Sequence, residues 1–326
     1  MRAKARSARL MAVVLVLAAT GCTGGTANDA APAGSCTAGE GAVKIATGNP
    51  GGVYYALGGG LAQVIGANTK LKATAESTGA SVQNIQQLAD GRYDVAFALA
   101  DTAADAVNGT GVFAGRPQRI QALARLYPNS TQVLVRNGSG INSITDMRGK
   151  RISIGSPQSG TEIIATRLLE AAGLNPNTDI QAQRLDLAAT AEGVKAGTID
   201  GLVWSGGLPT AQLSDIITSL KGQVKFLDIT PLLGAMRKIN PVYDTGEIPV
   251  ATYAQQAAVP TIVVPNFLLV RSDFPAPEAC AITKLLFEKK NDLAQAHPSA
   301  EQIDPGVAKL TQPVPLHPGA KQALGG

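Results

Sequence analysis

Apolar residues along the chain recur in two rhythms that alternate from about residue 43 onward. Val43-Lys44-Ile45-Ala46 and the alternating stretch 71–76 predict strands. Between them Tyr54, Leu57, Leu61, Val64 and Ile65 recur near one face of a helix over residues 54–65. Val82, Ile85 and Leu88 do the same over 81–90, where Gly91 stops the helix. Residues 93–99 predict a short apolar strand, and 102–107 a short helix ending near Gly109. Two more strands follow at 120–126 and 132–136. A second series then begins. It has a helical turn at 144–147, a strand at 151–154, and an amphipathic helix at 161–172 ended by Gly173. A strand at 180–185, a helix at 188–196 ended by Gly197, and a strand at 199–204 come next. Residues 209–219 predict a helix with Pro209 at its start, a position that tolerates the missing N–H. Residues 224–229 and 230–239 repeat the theme. The stretches 243–253 and 261–270 are strand-rich, and a last helix over 277–296 buries Ile282, Leu285, Leu286 and Leu293.

Strands alternating with helices point to parallel βαβ units and an α/β fold. Two apolar runs closed by arginine, 132–136 and 267–271, resemble each other and bracket the second series. The expected architecture is two lobes with parallel-rich sheets joined by a two-strand hinge. Lobe 1 takes 41–135 plus 267–326, and lobe 2 takes 136–266. Two extended crossings make a hinge because a few dihedrals in each absorb a rotation. The alternative is a single doubly wound sheet.

The first residues change the picture of charge and compartment. Arg2, Lys4, Arg6 and Arg9 precede an apolar run over 10–19, too short to span a bilayer core of ~30 Å as a helix. The run ends at Ala19-Thr20-Gly21-Cys22, which resembles a bacterial lipobox. Residues 1–22 thus read as a lipoprotein signal peptide, with Cys22 as the lipidated N-terminus. The alternative is an ordinary secretory leader cut nearby. Residues 23–40, rich in Gly, Ala, Thr and Pro, read as a flexible tether. The formal net charge of +4 falls to zero once the four leading cations leave, so no electrostatic footprint for nucleic acid remains. With Cys22 lipidated, Cys36 and Cys280 are left as a pair, and an oxidising compartment favours their disulfide. The protein is expected to be extracytoplasmic, anchored to the outer face of the cell membrane, and monomeric.

Candidate chemistry lies in the joints after strands, where open parallel sheets bind ligands. They are Thr47-Gly48-Asn49-Pro50-Gly51-Gly52, Glu76-Ser77-Thr78-Gly79, Asp101-Thr102, Ser156-Pro157-Gln158-Ser159-Gly160-Thr161 and Ser205-Gly206-Gly207. Several open into helices, whose first amides lack partners and carry partial positive charge. Such ends hold anions without Arg or Lys, and glycine lets the backbone come close. Ser77, Thr78, Ser159 and Thr161 are equally what ordinary N-caps look like. Of the adjacent Tyr54 and Tyr55, at least one is plain packing. Asp101 is either a partner for a ligand ammonium or an N-cap. Trp204, the only tryptophan, is either a cleft wall or a partly buried core residue. No catalytic set stands out: the only histidines, His297 and His317, lie far from the joints, and there is no zinc spacing, nucleophile elbow or P-loop lysine. No enzyme activity, cofactor or metal is expected.

The stretches "IATGNPGGVYYALGGGLAQVI", "AESTGASVQNIQQLADGRYDVAFALADTAADAVNG", "LARLYPNSTQVLVR", "DMRGKRISIGSPQSGTEIIATRLLEAAGL", "IDGLVWSGGLP", "IPVATY" and "VPLHPGA" together resemble the TAXI family. These are the substrate-binding subunits of TRAP (tripartite ATP-independent periplasmic) transporters. The resemblance implies a type II periplasmic-binding-protein fold that closes on a small carboxylate, glutamate-like or a dicarboxylate. It also implies delivery to a TRAP membrane permease driven by an ion gradient. Carried over by position, the ligand site comprises Thr47, Asn49, Gly51, Val53, Tyr54, Ser77, Asp101, Ser159, Gly160, Thr161 and Trp204. Gln158 stands where the family usually has glycine, and either narrows the cleft or adds an amide to it. The rival readings are a binding protein for another oxyanion, phosphate or a sulfonate, and an extracellular sensor subunit of a signalling system.

Overall fold

The computed structural model describes residues 36–325 and lays ten strands into one mixed sheet. The expected signal peptide, its Cys22 and residues 23–35 of the expected tether lie outside the described residues. The strands are β1 (Gly41–Ala46), β2 (Leu71–Glu76), β3 (Val95–Leu99), β4 (Ile120–Arg136), β5 (Arg151–Ser153), β6 (Gln181–Gln183), β7 (Gly201–Gly206), β8 (Val224–Phe226), β9 (Asp244–Ile248) and β10 (Val259–Arg271). Their order is β2-β1-β3-β10-β4-β7-β5-β6, with β8 added on β4 and β9 on β10. β2, β1 and β3 run parallel at one end, and β7, β5 and β6 run parallel at the other. β4 and β10 form an antiparallel seam between them.

Helices connect the parallel strands, as right-handed crossovers require some length of chain. They are α1 (Val53–Asn68), α2 (Ser81–Ala89), α3 (Ala100–Asn108), α4 (Gly160–Ala171), α5 (Leu187–Ala196) and α6 (Ala211–Ser219). α7 (Leu233–Ile239), α8 (Val250–Tyr253), α9 (Ala276–Glu288), α10 (Lys290–Ala296) and α11 (Pro318–Ala323) complete the set. All five residues of β3 are buried, the pattern of a strand covered on both faces. With few aromatics, the core packs through Ile, Leu, Val and Ala, and helices approach closely. At Gly60 in α1 a Cβ would sit 2.8 Å from the Ala296 methyl of α10, so only glycine permits that contact. No described helix is long and apolar enough to cross a membrane.

Three expectations change. The two strands expected at 120–126 and 132–136 are one, because residues 127–131 pair on through with β10 and β7. β4 pairs with β10 as far as Ser130 and with β7 from Ser130 to Val135. β4 thus changes partners at Ser130, two residues beyond Pro128, which stands opposite Pro265 on β10. Pro209 does not open a helix: it follows a cis peptide bond, and Thr210 is the N-cap residue of α6. The last helix, expected over 277–296, breaks at Lys289 into α9 and α10, and the chain then returns to the sheet. There the amide of Ala122 donates to Pro315 O at 2.8 Å and that of His317 to Ala122 O at 2.9 Å.

Cys36 and Cys280 are joined in a disulfide with Cα atoms 5.0 Å apart, spanning 244 residues. The Gly39 amide also donates to Glu278 Oε1 at 3.2 Å, so the last residues of the expected tether are fastened to α9. A cross-link over so long a loop removes much entropy from the unfolded chain. Cys36→Ala with Cys280→Ala is expected to lower the unfolding free energy by about 2–4 kcal/mol in urea titration. A loss under about 1 kcal/mol would show that unfolded-state entropy is not what this bridge restricts.

Candidate functional site

A cavity of about 40 Å³ lies at the carboxyl ends of the parallel strands, between the starts of α1 and α4. At roughly 10–15 Å³ per water, it holds a few waters or the body of one small molecule. Its walls come from both ends of the sheet: Gly48, Asn49, Gly52, Val53 and Tyr54 from one, Ser159 to Thr161 and Trp204 from the other. Its floor is the antiparallel seam, where Tyr127 and Asn129, two apart on β4, reach the same side.

Each wall is a helix end. Gly52 is the N-cap of α1 and brings no side-chain cap. No acceptor among the described residues takes the amides of Val53 and Tyr54. Ser159 caps α4, its Oγ accepting from the Glu162 amide at 3.0 Å, while the amides of Gly160 and Thr161 take no partner among the described residues. Unpaired amides at two helix starts give the cavity a positive potential without any cation. None of the residues lining it is Lys, Arg, Asp or Glu.

Seven of the eleven expected residues line this cavity: Asn49, Val53, Tyr54, Ser159, Gly160, Thr161 and Trp204. Asn49 ties the two walls together. Its amide nitrogen donates to Thr78 O at 3.2 Å, and its Oδ1 accepts from Ser156 Oγ at 2.8 Å. Tyr54 donates to Asn266 Oδ1, and Asn266 donates to Tyr127 O at 2.8 Å and Asn129 Oδ1 at 2.7 Å. Burial pushes the Tyr54 phenol well above its ordinary range, so it stays a neutral donor. Thr161 Oγ1 accepts from the Ser205 amide at 3.2 Å. The Trp204 ring covers Gly52, and its Nε1 donates to Thr210 Oγ1 at 3.2 Å. Tyr55 points to solvent.

The other four lie elsewhere. Thr47 is fully buried and closes the strand end, its Oγ1 donating to Glu76 O at 2.6 Å. Gly51 is exposed and lies against Gln212. Ser77 is exposed at the end of β2. Asp101 lies in a buried cluster in which Arg167 Nη1 meets its Oδ2 at 2.8 Å and Tyr243 donates to the same oxygen. It is neither an open ammonium partner nor an N-cap, since it stands second in α3.

The joint after β2 also differs from expectation. The amides of Val82 and Gln83 at the start of α2 both donate to Gln158 O at 3.1 Å, so they are not free for an anion. Gln158 neither narrows the cavity nor lends it an amide: its side chain is exposed and its backbone caps α2 from across the cleft. That role holds it at φ 61°, a left-handed conformation in which glycine is the common residue. Ala80, the N-cap of α2 and a cavity residue, sits at φ 83° and ψ −146°. Strain of this kind clusters at ligand sites.

Sequence reading missed Ser81, Tyr127 and Asn129, and named Ser205 only within the joint Ser205-Gly206-Gly207 and not in the ligand set; all four line the cavity. Two of them carry the clearest signal of a ligand. Of six buried side-chain oxygens without a partner among the described residues, Tyr127 Oη and Ser205 Oγ lie here. Buried polar atoms are nearly always paired, so these two are positioned for something else. Among the described residues no group of three or more His, Cys, Asp or Glu is placed to hold a metal.

Solved structures share this architecture. A protein of Bordetella bronchiseptica RB50 is 19% identical, with a TM-score of 0.55 over 87% of this chain and 88% of its own. PhnD1 of Prochlorococcus marinus, solved with methylphosphonate, is 10% identical, with a TM-score of 0.53 over 80% of this chain and 90% of its own. A binding-protein component of an ABC phosphonate transporter from Pseudomonas aeruginosa is 10% identical, with a TM-score of 0.51 over 81% and 80%. At these identities the likeness establishes the fold: an α/β fold of the type II periplasmic-binding-protein kind. The NMT1-like family profile matches residues 45–324, nearly all of the described chain, and the protein therefore belongs to the NMT1-like family.

Proposed function

We propose that this protein is an extracytoplasmic solute-binding protein that captures a small carboxylate and delivers it to a membrane permease. The observation that carries the reading is the pair of helix starts, α1 and α4, whose first amides have no partner among the described residues and which face one uncharged cavity from opposite ends of the sheet. A carboxylate accepts from both sets of amides at once, and closing the cavity removes water that would weaken them. In this reading the parts flanking the β4–β10 seam are lobes 1 and 2. They open to admit ligand and close on it, and the protein performs no chemistry on what it binds. The TAXI resemblance makes a TRAP permease the partner, with lipid on Cys22 keeping the protein at the membrane. The NMT1-like assignment and the fold support the solute-binding part of this reading.

The neighbours named for phosphonates keep the oxyanion reading in the test. Protein dialysed free of ligand is expected to gain thermal stability with small carboxylates and not with phosphate or methylphosphonate. A ligand at about 100 times its dissociation constant adds about 2.7 kcal/mol, a shift of several degrees. Stabilisation by phosphate or methylphosphonate alone would replace the carboxylate with another oxyanion.

A further inference from the structure

We infer that the cavity selects a small monocarboxylate carrying an oxygen on its second carbon and no ammonium group, and that Tyr127 and Ser205 are the residues that select it. The inference rests on the carboxylate reading above and narrows it.

Charge sets the first limit. The helix starts of α1 and α4 offer partial positive charge suited to one carboxylate. With no cationic side chain lining the cavity, a second carboxylate enters without neutralisation. With no acidic one, an ammonium enters without a counter-charge. Asp101, the residue expected in that role from sequence, is committed to Arg167 and Tyr243. Burying an unpaired charge costs far more than leaving it in water, so amino acids and dicarboxylates are both disfavoured.

The two unpaired hydroxyls set the second limit. Tyr127 is fully buried and Ser205 is 6% exposed, and neither side-chain oxygen has a partner among the described residues. Both come from the central strands. Ser205 on β7 pairs with Thr131 on β4, four residues beyond Tyr127 on the same strand face. They therefore meet a ligand from the sheet side while the helix ends hold its carboxylate. Burial keeps the Tyr127 phenol protonated, so it donates. A 2-oxo oxygen accepts from both hydroxyls, and a 2-hydroxyl group accepts from one and donates to the other. A plain fatty acid offers neither hydroxyl a partner at that carbon.

The test compares ligands built on one carbon skeleton by isothermal titration: pyruvate and lactate against alanine and propionate, and 2-oxoisovalerate and 2-hydroxyisovalerate against valine. Succinate tests the second carboxylate. The expected result is that the 2-oxo or 2-hydroxy acid binds about tenfold or more tighter than the amino acid, the plain acid and succinate. Tyr127→Phe is expected to weaken the 2-substituted acid by about tenfold and leave propionate unchanged. Its melting temperature stays level or rises, because no described protein group loses a hydrogen bond with that hydroxyl. Amino acid or succinate binding as tightly as the 2-substituted acid overturns this proposal while the carboxylate reading stands. So does Tyr127→Phe with wild-type affinity. If no carboxylate in the set binds, the carboxylate reading fails and takes this proposal with it.

Discussion

Replacing Arg167 with Met is expected to destabilise the folded protein by about 3–5 kcal/mol. Arg167 is 8% exposed on α4, and its guanidinium faces two carboxylates of α3. Nη1 meets Asp101 Oδ2 at 2.8 Å and donates to Tyr243 Oη at 3.1 Å, and Nη2 meets Asp105. Burial alone would lower the Arg167 pKa, but the attraction of Asp101, Tyr243 and Asp105 outweighs it and raises it. Asp105 is pushed up from its ordinary value by burial, against the pull of Arg167. Removing the cation leaves two carboxylates in a space with little water, which is what makes breaking a buried pair costly. The same argument predicts a rescue. Asp101→Asn with Asp105→Asn, added to Arg167→Met, should recover most of the loss, because no unpaired charge is then buried. Urea titration at neutral pH measures both. A loss under about 1 kcal/mol in the single variant, or no recovery in the triple, would show that the cluster is not held by charge. Because α3 and α4 lie on opposite sides of the seam, the cluster also opposes their separation.

What was legible in the sequence followed from periodicity, and what was hidden followed from distance along the chain. The faces of α1 and α2 and the buried run of β3 were readable because 3.6-residue and apolar rhythms record burial directly. The helix starts after β1 and β5 were readable because Gly, Ser and Thr mark them. The role of Asp101 was not, since its partner lies 66 residues away on another helix. Local pattern likewise could not show that the start of α2 is capped by Gln158 from across the cleft. The most instructive miss is Tyr127-Pro128-Asn129-Ser130-Thr131. Polar residues between two apolar runs look like a break between strands, yet here the backbone continues and keeps its pairing. Tyr127 and Asn129 are tolerated mid-strand because one face of that stretch fronts the cavity instead of the core. A polar interruption inside a strand that does not end is therefore itself a site signal.

Gly160→Ala is expected to weaken ligand binding by about a hundredfold or more while leaving the protein folded. Gly160 is the first residue of α4, and its Cα faces the other wall of the cavity. A Cβ there would lie 2.5 Å from Leu99 Cδ1 and 2.6 Å from Ser81 Oγ, distances that non-bonded atoms do not reach. Leu99 is 2% and Ser81 1% exposed, and Ser81 Oγ accepts from the Leu99 amide at 3.1 Å, so neither can step aside cheaply. Alanine is otherwise the better helix residue by about 1 kcal/mol, so local propensity acts in the opposite direction. The extra methyl therefore holds the α4 start away from α2 and β3, and the amides of the two walls no longer reach one ligand together. Gly59→Ala is the control, since no atom lies within 4 Å of a Cβ built there. It should keep full affinity and melt at or above the wild-type temperature. Titration calorimetry reads the affinity, and small-angle scattering with saturating ligand reads closure. Wild-type affinity in Gly160→Ala would mean that ligand is held without the close approach of the two walls, and the two-sided grip on the carboxylate would have to be abandoned.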